Sequence, residues 1–427
     1  MADRPDADIV IIGAGAAGIL SAIRLRDDGY SVVLVEAGRV GSAQSNHSHG
    51  YMHRRHIYPS PKAHFVKELN RGADAWISLL NEAGIAPVTQ TAHIAFHSHY
   101  NGKIAGERWA QVGMPYSLSE APAGFLPDSF GICYETQEPA YDFTGWYSYA
   151  LTHLFEGIRC VRASAIELIN EGPNIVGVHL KYDNAESVTL SASVYVLTAG
   201  VGNIELARSV AKLRGRGVNR VSFMLVLEGE LPPTSLIIPD HQSYGLFMVS
   251  RFLGGKNFWL LSNYISYAGS RSSTFGATLW ARAALKTLRK RTELIDERKL
   301  KWGIYAAPKG ELRADPRQLS EHSIESYGFG NCLVAAPSKL TLAPLLAEKV
   351  AASVHYIHRC TGRFSESATQ SDILQVAPER WESVRLFDDY SLRDLLHGSS
   401  CDIHDLLADV GGGAEPSEYN LNNPVRD

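Results

Sequence analysis

The chain has 427 residues, 45% of them hydrophobic and 20% charged, and a net charge of −4. That length supports two or three domains with a sizeable buried core. The near-neutral balance leaves no electrostatic footprint for nucleic acid or an anionic membrane.

The polar opening MADRPDAD and the glycine-broken apolar run after it read as neither a secretory leader nor a membrane span, so the expected location is the cytoplasm. Asp8 to Ile12 is a short β-branched run of the kind that forms a fully buried parallel strand. Gly13, Gly15 and Gly18 follow in the spacing G-x-G-x-x-G, with Ala16 and Ala17 inside it. A helix is predicted next, burying Ile19, Ile23 and Leu25 and stopping at Asp28-Gly29. A second strand over 31–35 ends at Glu36-Ala37.

Each part has a mechanical reason. Gly13 allows a tight turn, Gly15 a close approach to a pyrophosphate, and Gly18 close helix–strand packing. The helix start offers unpaired N–H groups to phosphates. Glu36 stands where an acid accepts hydrogen bonds from a ribose. The pattern predicts a dinucleotide site without deciding between FAD and NAD.

The stretch SNHSHGYMHRRHIY follows, with His47, His49, His53, His56 and the pair Arg54-Arg55. A metal site is not expected, because no carboxylate or cysteine accompanies the histidines. His53 is the candidate base and the arginines a candidate carboxylate fork, against the plainer reading of a solvated basic loop. Further on, His93, His97 and His99 alternate as they would along one strand.

Residues 157–200 give three strand-like segments with turns at Glu171-Gly172-Pro173-Asn174 and Asp183-Asn184, then an apolar strand running into Thr198-Ala199-Gly200. Residues 221–268 are β-rich, with a hairpin signal at GGKN and polar candidates Tyr244, Arg251, Lys256 and Tyr264. Residues 277–296 read as an amphipathic helix with a solvated basic face (Lys286, Arg289, Lys290, Arg291). A strand at 332–335, a turn at Pro337 and a helix from about Leu342 follow. Five scattered cysteines (Cys133, Cys160, Cys332, Cys360, Cys401) signal neither a disulfide framework nor a zinc ribbon. Residues 361–427 are acidic, with 13 acids against 5 bases. They are expected to pack back on the body, with a dimer contact or a partner dock as alternatives.

This order resembles the D-amino-acid oxidase (DAO) superfamily of FAD-dependent oxidoreductases, which includes glycine and sarcosine oxidases and L-2-hydroxyglutarate oxidases. The likeness rests on the N-terminal fingerprint, the V-L-T-A-G strand end, the L-T-L-A-P helix entry, and Trp302-Gly303 with Pro308, which is similar to a W-x-G-x-R-P stretch. It implies an α/β fold: a Rossmann-like FAD domain (1–84, 141–215 and 300–360), a discontinuous β-rich substrate domain (85–140 and 216–299) and the extension 361–427.

It further implies that Ser45, Asn46 and His47 cross the flavin ring, with His47 a possible covalent tether though non-covalent FAD is expected. Val161 and Arg162 would adjoin the adenine, and Ala199 and Gly200 would also contact FAD. Lys339, Leu340 and Thr341 would bring the late helix's positive end to the flavin pyrimidine, a contribution of roughly 0.3–2 kcal/mol. Sarcosine oxidases carry a lysine where Thr341 stands, so their carboxylate grip is not reproduced. The implied activity is oxidation of a CH–NH bond of a small amine or amino-acid-like molecule by hydride transfer to flavin N5. The electrons would pass to O2 or another acceptor. Oxidation of a 2-hydroxy acid and a non-catalytic flavoprotein subunit are the alternatives.

Overall fold

The computed structural model describes residues 5–56, 63–163, 165–207, 217–239, 245–262, 267–268, 274–296, 299–312, 324–337, 339–361, 372, 374–384 and 386. Strand β1 (Ala7–Ile12) is buried at every position, as a parallel strand covered on both faces requires. Helix α1 (Ala16–Asp27) returns the chain to β2 (Val32–Glu36), and α2 (Ala63–Glu82) leads away. The chain then builds part of a second sheet: β3 (Ala92–Phe96), α3 (His99–Gln111), β4 (Ser117–Ser119) and β5 (Ile132–Thr136). It comes back through α4 (Thr144–Tyr149) and β6 (Ile158–Arg162).

A three-stranded meander follows, of β7 (Ala165–Glu171), β8 (Asn174–Lys181) and β9 (Ser187–Leu190), before β10 (Ala192–Leu197) and α5 (Asn203–Leu206). The second sheet is then completed by β11 (Gly217–Gly229), β12 (Ser235–Ile238), β13 (Leu246–Leu253), β14 (Lys256–Ser262) and β15 (Tyr267–Ala268). Helix α6 (Thr274–Arg289) and β16 (Lys301–Leu312) follow. Last come β17 (Ile324–Phe329), β18 (Cys332–Pro337) and α7 (Ala343–Thr361).

The first sheet has the order β17-β18-β10-β1-β2-β6. All of its pairs are parallel except β17 with β18. One face is covered by α1, α2 and α7, through Ile9, Ile11, Leu34, Trp76, Leu346 and Val350. The other face packs Val10, Ile12, Val33 and Val35 against Leu168, Val178 and Leu180 of the meander. Each strand therefore needs apolar residues on both sides, which is why these segments read as continuous hydrophobic runs.

The second sheet runs β15-β11-β14-β13-β12-β3-β5-β4, with β16 on the other edge of β11. Helix α6 covers one of its faces, where Trp280 and Leu285 meet Trp259 and Trp302.

Three sequence expectations change. Residues 301–312, expected with the first domain, pair with β11 from Glu228 to Gly217 and so belong to the second sheet. His93 lies on β3, but that strand ends at Phe96 and His99 opens α3, so the three histidines do not share a face. Arg291 is buried and its guanidinium donates to the Thr287 carbonyl at 2.7 Å, while Lys286, Arg289 and Lys290 are exposed as expected.

Cys133, Cys160 and Cys332 are buried thiols that burial pushes up to about 12. Among the described residues no helix is long and apolar enough to cross a membrane. Tyr244, Tyr264 and most of residues 361–427 lie outside the described residues. The described part of the extension packs on the body, with Val376 bridging to Val40 and Leu374 joining the first core.

Candidate active site

A cavity of about 660 Å³ opens where the C-terminal ends of β1, β2, β10 and β18 meet the second sheet. Ligands bind at this edge in open α/β sheets. One end is walled by Gly13, Gly15, Ala16, Ala17, Glu36, Ala37, Ser45, Ala199 and Gly200, all of them expected from the sequence.

The local geometry explains these residue types. Gly13 has φ +107°, and a Cβ there would stand 2.7 Å from Ala199 Cα. A Cβ on Gly18 would collide with the Gly13 carbonyl oxygen. Gly18 therefore serves helix–strand packing and does not line the cavity. Thr198 locks the turn from the other side, its hydroxyl donating to the carbonyls of Ile12 (3.1 Å) and Gly13 (3.0 Å). At the start of α1, the Ala16 N–H donates to Ser45 Oγ at 3.1 Å.

Glu36 accepts from the Ala14 N–H (2.7 Å) and the Gly38 N–H (2.8 Å). A carboxylate has about four acceptor positions, so two backbone bonds leave capacity for ribose hydroxyls.

The other end is lined by His47, His49, Tyr51 and His53, by Ser222, Met224, Ser262, Ala307, Pro308 and Lys309 of the second sheet, and by Lys339, Leu340 and Thr341 before α7. His49 meets the His53 ring edge-on, with centres 5.6 Å apart, and Phe247 lies 6.3 Å from both. Burial, then Lys309, Arg251 and Lys339, push His49 down to about 3. His47 is lowered to about 4, first by burial and then by Arg380. Lys309 is lowered to about 7 by burial and by Arg220, with Glu311 acting in the opposite direction.

The residues fit FAD on two observations. The fingerprint turn is bare main chain where a diphosphate would rest. At the flavin end, His49 Nδ1 and Thr341 Oγ1 are buried without a hydrogen-bond partner, as atoms awaiting a polar ligand are.

Not every expected residue reaches the cavity. Val161 is buried in the core of the first sheet. The Arg162 N–H is taken by Asp372 Oδ2 at 2.9 Å. Ile166 of β7 lines the wall instead. Asn46 is buried behind the wall, its amide donating to the Ala377 carbonyl at 2.6 Å.

Arg54 turns to α2, pairing with Asp74 at 2.6 Å and bonding Asn70 at 3.2 Å. Arg55 is buried at φ +86°, with its guanidinium 4.8 Å from the Phe65 ring centre. Neither arginine lines the cavity, because their neighbours supply closer partners. His56 pairs with buried Glu138 at 3.1 Å. The histidine run thus divides, with three members on the cavity and one in the second domain's core. Among the described residues no group of three or more His, Cys, Asp or Glu is placed to hold a metal ion.

Lys309, Met224 and Ser262 escaped the sequence reading. Strand period gave a usable signal for Lys309, because Tyr305, Ala307 and Lys309 must share one face of β16. Lys256, a weak candidate, pairs with Glu228 at 2.7 Å on the surface.

Comparison with known proteins agrees with this geometry. The sequence model of the DAO family, FAD dependent oxidoreductase, matches residues 8–353. A probable FAD-dependent oxidoreductase of Pseudomonas aeruginosa is 25% identical over 382 residues, 81% of this chain and 90% of that protein. The crystal structure of an FAD dependent oxidoreductase from the same organism superposes with a TM-score of 0.66 at 22% identity, covering 90% of this chain and 99% of that one. Glycine oxidase from Geobacillus kaustophilus gives 0.62 at 15% identity, covering 86% and 97%. The L-α-glycerophosphate oxidase of Mycoplasma pneumoniae, with FAD bound, gives 0.63 at 16%, covering 82% and 94%.

Proposed function

The chain belongs to the DAO family of FAD-dependent oxidoreductases, and on that premise we propose that it oxidises a CH–NH bond of a small amine or amino-acid-like molecule, with O2 as the final acceptor. FAD, when bound, supplies the electron sink, taking a hydride at N5. The chain's own residues bind, orient and set protonation. The fingerprint turn and Glu36 hold the adenosine diphosphate half, and Leu340 and Thr341 present the approach to α7 to the flavin. His47 lines the wall as a non-covalent neighbour.

One observation carries the amine reading. Lys309 and Lys339 line the cavity at the end that holds His49, and after burial itself the charges that lower His49 are cationic. An ammonium arriving beside His49 meets the same field and is driven to shed its proton. The neutral amine is the form whose carbon can release hydride, so this wall favours the reactive species. Relatives in the fold that are named glycine oxidase and glycerophosphate oxidase support O2 as acceptor.

Anaerobic mixing with panels of primary amines, secondary amines and amino acids tests the reading, with bleaching of the yellow absorbance as the expected result. Bleaching by hydroxy acids alone would favour a second reading, CH–OH oxidation. The observation behind that one is the place of His53 on the wall beside His49, where an imidazole can take a hydroxyl proton.

A further inference from the structure

Residues 374–384 form a strap that crosses from the first sheet to the second. The Val40 N–H donates to the Gln375 carbonyl (2.7 Å) and the Ala377 N–H to the Val40 carbonyl (2.9 Å). The Asn46 amide fastens to the Ala377 carbonyl. Glu379 then opens a single 3-10 turn, Arg380–Ser383, closed by a reciprocal capping box with Glu382. Trp381 of that turn joins Met224, Val226, Phe258, Leu260, Tyr305 and Ala307 in one buried cluster, and Met224 and Ala307 are also cavity wall.

At the centre of the strap is an ion pair, Arg251 Nε to Glu379 Oε2 at 3.1 Å, with side chains only 2% and 3% exposed. The Trp381 indole N–H donates to the same carboxylate. The guanidinium also donates to the carbonyls of His49 (2.8 Å), Tyr141 (3.1 Å) and Ser250 (3.2 Å). A buried arginine deprived of its carboxylate is an uncompensated charge and cannot be expected to keep those backbone bonds.

We propose that Glu379 is a positioning residue for the oxidation site. Through Arg251 it fixes the backbone at His49, and through the strap's bonds to Val40 and Asn46 it fixes the run from Gly41 to His49 against the cavity. This rests on the reading of the cavity as the flavin site. An ion pair of this kind specifies one arrangement of the segments it joins, and a site displaced by about 1 Å loses roughly 10²-fold in rate.

The test compares full-length wild type, Glu379→Gln, and the double variant Arg251→Met/Glu379→Met, which removes both charges at once. Each is titrated with FAD for its dissociation constant and visible spectrum, with far-UV circular dichroism as the folding control. Glu379→Gln is expected to keep its far-UV signal, weaken FAD by about tenfold or more and shift the flavin bands. The double variant should fold and also show weakened FAD and shifted bands, because the anchor on His49 is gone. Wild-type affinity and spectrum in Glu379→Gln overturn the proposal. So does wild-type behaviour of the double variant, whether or not the single one folds. If the wild type holds FAD and no amine or hydroxy acid bleaches it, the function reading falls while affinity and spectrum still decide the role of Glu379. A wild type that takes up no FAD sinks both.

Discussion

Gly310 on β16 and Gly200 in the turn that follows β10 touch backbone to backbone, and a Cβ on Gly310 would collide with the Gly200 carbonyl and stand 2.5 Å from Val201 N. The two sheets meet here without an intervening side chain. The Gly310 N–H also donates to Gln44 Oε1 at 2.9 Å, so three separate segments converge on one main-chain contact. Gly310→Ala should force them apart, costing about 1–3 kcal/mol as overpacking does. Chemical denaturation of the FAD-free protein measures this, and an unchanged midpoint would mean the approach is looser than described.

Glu36→Ala should weaken FAD and also destabilise the FAD-free protein. The amides of Ala14 and Gly38 lose their acceptor, at about 1–3 kcal/mol for each one left unpaired. The ratio of flavin to protein absorbance after purification reports the first effect and the melting temperature the second. Full flavin occupancy in this variant would refute a ribose-binding role.

His53→Ala separates the two chemistries. A base that takes a hydroxyl proton contributes roughly 10²–10⁴-fold. Flavin reduction by a hydroxy acid would fall by that much, whereas reduction by an amine, which has shed its proton at the cationic wall before hydride leaves, should fall far less. Stopped-flow traces with both substrate types, across pH, give the comparison. A large loss with the amine would contradict the charge argument made from His49.

Lys309 predicts a pH dependence of stability. Its folded value is about 7 against an ordinary 10.5. Between those values the unfolded chain carries a proton that the folded chain lacks, so stability should rise with pH across that window. Below about 7 both states are protonated and the dependence from this group ends. Melting of the FAD-free protein should show the rise, and Lys309→Met should flatten it. Equal slopes in the two proteins would place Lys309 in water.

His47 lines the cavity, and its lowered value keeps it neutral above about pH 4. With flavin held non-covalently, acid precipitation should leave all the yellow colour in the supernatant. Colour retained in the pellet would establish a covalent bond and make His47 the first residue to replace.

The sequence was most readable where function depends on local chain. From β1 to β2 the turn, helix start and acid lie within thirty residues, so spacing alone brought Gly13, Gly15 and Glu36 together. Reading by proximity failed for Arg54 and Arg55. They adjoin His53 in sequence, but Asp74 and Phe65 draw their side chains elsewhere. Val161 and Arg162 lie off the cavity wall for a related reason. The strand they form is an edge of the first sheet, its outer backbone group covered by Asp372, and the wall is reached only at Ile166. Arg251 with Glu379 was out of reach because 128 residues separate them. No periodicity in either segment encodes which partner the other will find.

The strap also bears on biosynthesis. Val40 leaves the ribosome more than three hundred residues before its main-chain partners Gln375 and Ala377. A nascent polypeptide can build its fingerprint turn early and tie Gly41 and Ser45 to it, but the bonds at Val40 and Asn46 wait until the strap emerges. Premature stops or proteolytic trimming before Gln375 would therefore yield products that contain every glycine of the fingerprint and still lack this closure.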